Sequence, residues 1–112
     1  MEGLQIAHDF NNYLDKMHDA VRHFCEDLAE SNFSEISMVL PSIVEGLEWI
    51  NDALTGFVRL GEIPSERHAS FQLIIGKLTD ALENKDYILL HDLFTYEFLP
   101  LLGGLKVAGF KN

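Results

Sequence analysis

Cysteine occurs once in the 112-residue chain, at Cys25, so no intramolecular disulfide can form. A single core of this size does not require one. Cations are scarce: 8 Lys and Arg stand against 18 Asp and Glu, a formal net charge of −10. A phosphate backbone is bound through cations that release its counterions, so nucleic acid is not an expected partner, and neither is an anionic membrane surface. Long apolar runs are missing as well. The longest is Tyr87 to Leu90, far short of the ~18 residues of a membrane span. The stretch from Met1 to Asp15 has neither the basic start nor the apolar segment of a signal peptide, and a reduced, cytoplasmic setting is the expectation. Nucleophile-elbow, phosphate-loop and dinucleotide motifs are lacking too, so neither an enzyme nor a cofactor is expected. No repeat, low-complexity tract or linker divides the chain, and residues 1–112 read as one domain.

What the chain does have is periodicity. Phe10, Leu14, Met17, Val21, Phe24 and Leu28 alternate steps of four and three. Ile36, Leu40, Ile43, Leu47, Ile50, Leu54 and Phe57 repeat the alternation, and Phe71, Ile75, Leu78 and Leu82 do so a third time. Such spacing lines one face of a helix, whereas a strand alternates by two. Asp15, Asp19, Glu26, Glu45, Glu48 and Asp80 fall between these positions and solvate the outer faces.

Punctuation places the helix ends. The first helix should run from about Leu4 to Glu30 and stop at Ser31-Asn32. Ser34 reads as the N-cap of the second, with Gly61 as its left-handed terminator and Pro64 just beyond. Ser65 would cap the third, where Glu66 meets the positive end of the helix dipole. Asn84-Lys85-Asp86 makes a break before a fourth helix capped by Asp86 and ended by Gly103-Gly104. Residues from Leu105 to Asn112 form a tail or a short fifth helix. Pro41 interrupts the second stripe, so the helix either kinks there or ends near Leu40 and restarts; Ser42 with Glu45 has capping-box spacing, which leans toward a break, and a kink at Pro41 is the expectation. Pro100 leaves the Tyr96 carbonyl without its helical partner, so the fourth helix should bend or fray near its end. The resulting fold class is all-α, an antiparallel up-down four-helix bundle with room for a short C-terminal fifth helix.

Few residues carry chemistry. Of the five histidines, only His18 lies in a di-iron-like spacing, Asp15-x-x-His18, and both of those positions flank the stripe, so no metal site is expected. Cys25 follows the core position Phe24 and reads as a partly buried structural thiol. Glu97 is flanked by Leu90, Leu93, Phe94 and Leu101 at helical separations, which turns it toward the apolar side. A carboxylate there is either part of a ligand or peptide pocket or a structural group satisfied by Trp49, a tyrosine hydroxyl or an amide. The fourth helix is apolar nearly all round. A peripheral helix needs one apolar stripe, so the excess must be covered by the tail through Val107 and Phe110, by a second copy, or by a partner helix.

Three segments, "LPSIVEGLEWINDA" (Leu40 to Ala53), "FQLIIGKLTDAL" (Phe71 to Leu82) and "LLHDLFTYEFLPLL" (Leu89 to Leu102), resemble the flagellin-type export chaperones, small helical bundles that hold secretion substrates in the cytoplasm. The likeness spans Ile36 to Lys106, while "NNYLDKM" departs from that family's opening motif. The last pair of helices also looks like small acidic helical proteins of unassigned role. The expectation is a non-enzymatic protein-binding module that docks an amphipathic segment of a partner on the fourth and second helices. Its contacts would be Tyr87, Leu90, Phe94, Tyr96, Glu97 and Phe98, with Ile43 and Leu47 behind them. The alternative is a self-associating structural or regulatory bundle.

Overall fold

The computed structural model describes the backbone of residues 2–107 and the side chains of residues 6–107. Among the described residues there are four helical rods and no strand. Helix α1 spans Glu2–Ala29, α2 Phe33–Arg59 and α3 Ser65–Glu83. The fourth rod, α4, covers residues 87–103 in three joined pieces: Tyr87–Asp92, a π-helical stretch Leu93–Phe98, and Leu99–Gly103. Short turns reverse the chain between rods, and each rod packs beside the next, with α4 closing the ring against α1. The molecule measures 46 × 22 × 20 Å, and its long axis is close to the ~42 Å expected of a helix the length of α1.

All six stripe residues of α1 are buried, and so are those of α2 except Leu40. On α3 the buried set is Phe71, Ile74, Leu78 and Ala81, while Ile75 and Leu82 are only half-buried. The helix is rotated so that its second apolar column turns toward α2 instead of the bundle axis. At Gly46 the first two helices approach so closely that a Cβ would overlap the Met17 methyl and the Tyr13 hydroxyl.

Three of the rods end in the same way. Gly61, at φ +78°, donates to the Val58 carbonyl while the next amide, Glu62, reaches back to Phe57. Ser31 and Lys85 adopt the same left-handed conformation, φ 57° and 54°, with the equivalent pair of bonds behind them. These are Schellman terminations, which usually recruit glycine because a Cβ is strained there. Asp86 caps α4 as expected, its carboxylate accepting from the Leu89 amide at 3.1 Å. The two serines do not act as caps. Helix α2 begins at Phe33 directly after the left-handed turn, with Asn32 in the N-cap position, so Ser34 is already inside it. Pro64, extended at ψ 141°, holds the N-cap position of α3, and its carbonyl accepts from Arg67, which puts Ser65 in the first helical residue.

Pro41 does not break α2, which runs through it. Pro41 and Ser37 both face solvent, so water can take the carbonyl that the proline leaves unpaired, and buried Ile36 and Ile43 hold the helix on either side. Pro100 acts differently. The chain ahead of it widens into the π-helical turn, in which the Leu99 amide bonds Phe94, five residues back, and the helix then resumes. Beyond Gly103 the tail folds back on α1. Asn11 donates from its amide to the Val107 carbonyl at 2.9 Å and accepts from the Val107 amide at 2.8 Å. Leu105 and Val107 are buried. There is no fifth helix up to residue 107, and Phe110 lies outside the described residues.

Candidate binding groove

The π-turn decides where the side chains of α4 point. Leu90, Phe94, Phe98 and Leu102 are spaced by four and all buried. In a regular α-helix a step of four overshoots one turn by about 40°, so three steps would carry Leu102 well off the face of Leu90. The wider turn takes that drift back and keeps the four residues in one column. Phe94 meets Phe24 of α1 edge-on with ring centroids 5.7 Å apart, and Phe98 edge-on at 5.5 Å. Phe98 in turn lies 6.2 Å from Phe71 of α3. This aromatic chain joins three of the four rods.

The predicted contact set on α4 therefore divides. Leu90, Phe94 and Phe98 are core residues with almost no exposed surface. Tyr87 is half-buried against Phe33, with ring centroids 5.8 Å apart. Tyr96 is exposed, at 71%. Glu97 does not face the core: once the turn widens, Phe98 takes the inner position, and the Glu97 carboxylate pairs with Lys77 of α3 at 3.0 Å, both side chains well exposed. Such a surface pair contributes little, about 0–1 kcal/mol. Much of the surplus of apolar residues on α4 is absorbed by packing against α1 and α3. What remains outside is Ile88, Leu89 and Tyr96.

The other chemical candidates are dispersed. Cys25 is buried and accepts from the Thr95 hydroxyl at 3.5 Å. Burial pushes its thiol pKa up, and the Thr95 bond pulls it partly back. The histidines have separate companions, His8 with Asn12, His23 with Glu26, His68 with Asn51, and both His18 and His91 with the aspartate that follows. Among the described residues no group of three or more His, Cys, Asp or Glu is placed to hold a metal ion, and no helix is long and apolar enough to cross a membrane.

A concavity lies between α2 and α3, a groove of roughly 520 Å³. Leu40, Ile43, Val44 and Leu47 of α2 form one wall, Ile75, Leu78 and Leu82 of α3 the other, and Phe94 lies at the base. The half-buried Leu40, Ile75 and Leu82 are the stripe members that the core does not take. Along the rim are Glu48, Asn51 and Asp52 from α2 and Gln72 and Thr79 from α3. Ile43 and Leu47, expected as support for a site on α4, line this groove instead. Adjacent apolar pairs mark it in the sequence: Ile43-Val44 and Ile74-Ile75 give each helix a second column beside its core stripe.

A four-helix bundle with an apolar groove between neighbouring helices is the class of protein that these features define. The profile of a family described as a domain of unknown function, DUF8042, matches residues 5–108, and the chain belongs to that family. No curated protein and no solved structure matches it.

Proposed function

We propose that the protein is a non-enzymatic, cytoplasmic binding module that receives a helical segment of another protein in the groove between α2 and α3. The carrying observation is the second apolar column on each of these helices. Leu40, Ile75 and Leu82 are left half-buried and Val44 exposed, around an open trough. A third amphipathic helix laid there would complete their burial, the usual way in which a helix is recognised by a groove. The resemblance of Leu40 to Ala53 and of Phe71 to Leu82 to flagellin-type export chaperones supports the same reading, because both segments form the groove walls. A secretion-chaperone role is its particular form.

A photo-crosslinking residue at Val44 tests the assignment in cells. It should trap one polypeptide through a defined segment, and Ile75→Glu should abolish the product while helicity is retained. The same probe at Leu73, exposed on α3 but outside the groove, should trap nothing specific. Equal products from both positions would overturn the reading.

Self-association is the second reading, and a different surface favours it. Phe33 and Ile88 are exposed beside half-buried Tyr87 around a hollow at the end of the bundle where α2 and α4 begin. A dimer in light scattering that dissociates on Ile88→Glu would support it, and a monomer at micromolar concentration would remove it.

A further inference from the structure

The groove has a charge pattern that specifies its occupant. Because α2 and α3 run antiparallel, Leu40 and Leu82 stand at one end and Asn51, Asp52 and Gln72 at the other. The side-chain bond between His68 and Asn51, 2.8 Å, ties the helices together beyond that polar end. Glu48 and Asp52 stand one helical turn apart on the α2 rim, and no cation lines the groove. Neither carboxylate has an ion pair among the described residues, whereas Asp15, Asp19 and Glu97 are matched by Lys106, Arg22 and Lys77. Like charges at this spacing repel, by about as much as an opposite pair attracts. The α3 rim, by contrast, carries the uncharged Gln72 and Thr79.

Resting on the binding reading above, we infer that the partner segment is a cationic amphipathic helix of about three turns. It presents an apolar stripe to the walls and Lys or Arg along the edge that meets Glu48 and Asp52. The length follows from the groove: twelve residues separate Leu40 from Asp52, about 18 Å at 1.5 Å per residue. Attachment of the cations to one rim sets the rotation of the bound helix about its axis, since turning it over would place them beside neutral Thr79 and Gln72. Their crowding toward the Asp52 end sets its placement along the trough. The net charge of −10 draws such a segment in from a distance.

Three fluorescent helical peptides test this, identical in their leucine stripe and differing only in flanking residues, which are lysine, glutamine or glutamate. Each is titrated into the full-length protein by fluorescence anisotropy. The lysine peptide should bind roughly five- to tenfold tighter than the glutamine peptide at low salt, as two rim ion pairs allow. The glutamate peptide should bind weakest. Raising the salt to about 0.5 M should close most of these gaps. The double variant Glu48→Gln/Asp52→Asn should close them at low salt without weakening the glutamine peptide, while Glu26→Gln/Glu30→Gln, in the last turn of α1 and just beyond it, should leave them open. Equal binding of the lysine and glutamine peptides, or a gap that survives loss of Glu48 and Asp52, overturns the cationic partner and leaves the groove reading intact. Failure of all three peptides to bind, or binding unaffected by Ile75→Glu, overturns the groove reading itself and this inference with it. A dimer that Ile75→Glu dissociates would make a second copy the occupant and overturn the cationic partner.

Discussion

Replacing Ser31 or Lys85 with glycine should make the protein more stable, and replacing Gly61 with alanine should make it less so. All three occupy the left-handed position of a helix termination, at φ 57°, 54° and 78°. A side chain in that conformation costs roughly 1–2 kcal/mol through the approach of Cβ to the following carbonyl oxygen. Glycine removes the strain but enlarges the freedom of the unfolded chain, which takes back about 0.5–1 kcal/mol. The net gain is therefore about 0.5–1 kcal/mol for each of Ser31→Gly and Lys85→Gly. Both residues are exposed, and the bonds that define the turns are made by backbone groups: Ser31 to Leu28 and Asn32 to Asp27 in one, Lys85 to Leu82 and Asp86 to Ala81 in the other. No hydrogen-bond partner is shared, so the double variant should approach the sum. Thermal and urea unfolding followed by circular dichroism should show a rise of a few degrees in Tm per substitution with an unchanged urea dependence. Gly61→Ala, into open space but at positive φ, should lose about 1 kcal/mol. If Ser31→Gly and Lys85→Gly instead destabilise, as glycine does inside a helix, the left-handed terminations do not exist in solution and the turn geometry is wrong.

Neighbouring positions on α4 should separate sharply: Phe98→Ala, which empties a fully buried ring site between Phe71 and Phe94, should cost about 3–5 kcal/mol in urea unfolding. Glu97→Gln, at the exposed pair with Lys77, should cost less than about 1 kcal/mol. Asn11→Ala should remove both bonds to Val107 and release the tail; hydrogen exchange at the Val107 amide should quicken at least tenfold, with about 1–3 kcal/mol of stability lost. Cys25 has a raised pKa in the folded state, so folding favours its protonated form. That contribution is complete below the ordinary thiol pKa, about 8.5, and is lost as pH rises through the folded value. The alkaline decline in stability should therefore flatten in Cys25→Ala, and alkylation of the native thiol should be slow until the protein unfolds; fast native alkylation would refute the burial.

Much of the bundle was legible because helix-forming periodicity is a local property. The α1 stripe from Phe10 to Leu28 is buried throughout, and the Asp86 cap and the Gly61 terminator act where their chemistry placed them. The errors arose where a local preference competed with packing. Ser34, Ser65 and the Ser42–Glu45 spacing are good capping patterns, but Ile36 and Ile43 anchor α2 on both sides of Pro41, so the helix continues. Ser31 and Lys85 gave no warning of left-handed turns, since neither is the glycine or asparagine such turns favour. The candidate site was the least legible part. Glu97 and Phe98 exchange inner and outer roles because of one wide turn, and no regular helical projection of residues 87–103 anticipates it.

Composition and apolar spacing alone determined that this chain is an acidic all-α bundle of four rods, and roughly where each rod turns, because helix formation and amphipathic burial depend on residues three and four apart. Which apolar column entered the core and which was left to line a groove was decided only in three dimensions. Both Ile74 and Ile75 could serve as core residues, and the rotation of α3 against α2 and α4 chose between them. The same packing, with the register shift ahead of Pro100, buried the column Leu90, Phe94 and Phe98 in the core and left Leu40, Val44, Ile75 and Leu82 incompletely covered. A rod's rotation about its own axis depends on every neighbour at once, and no segment of sequence carries that information by itself.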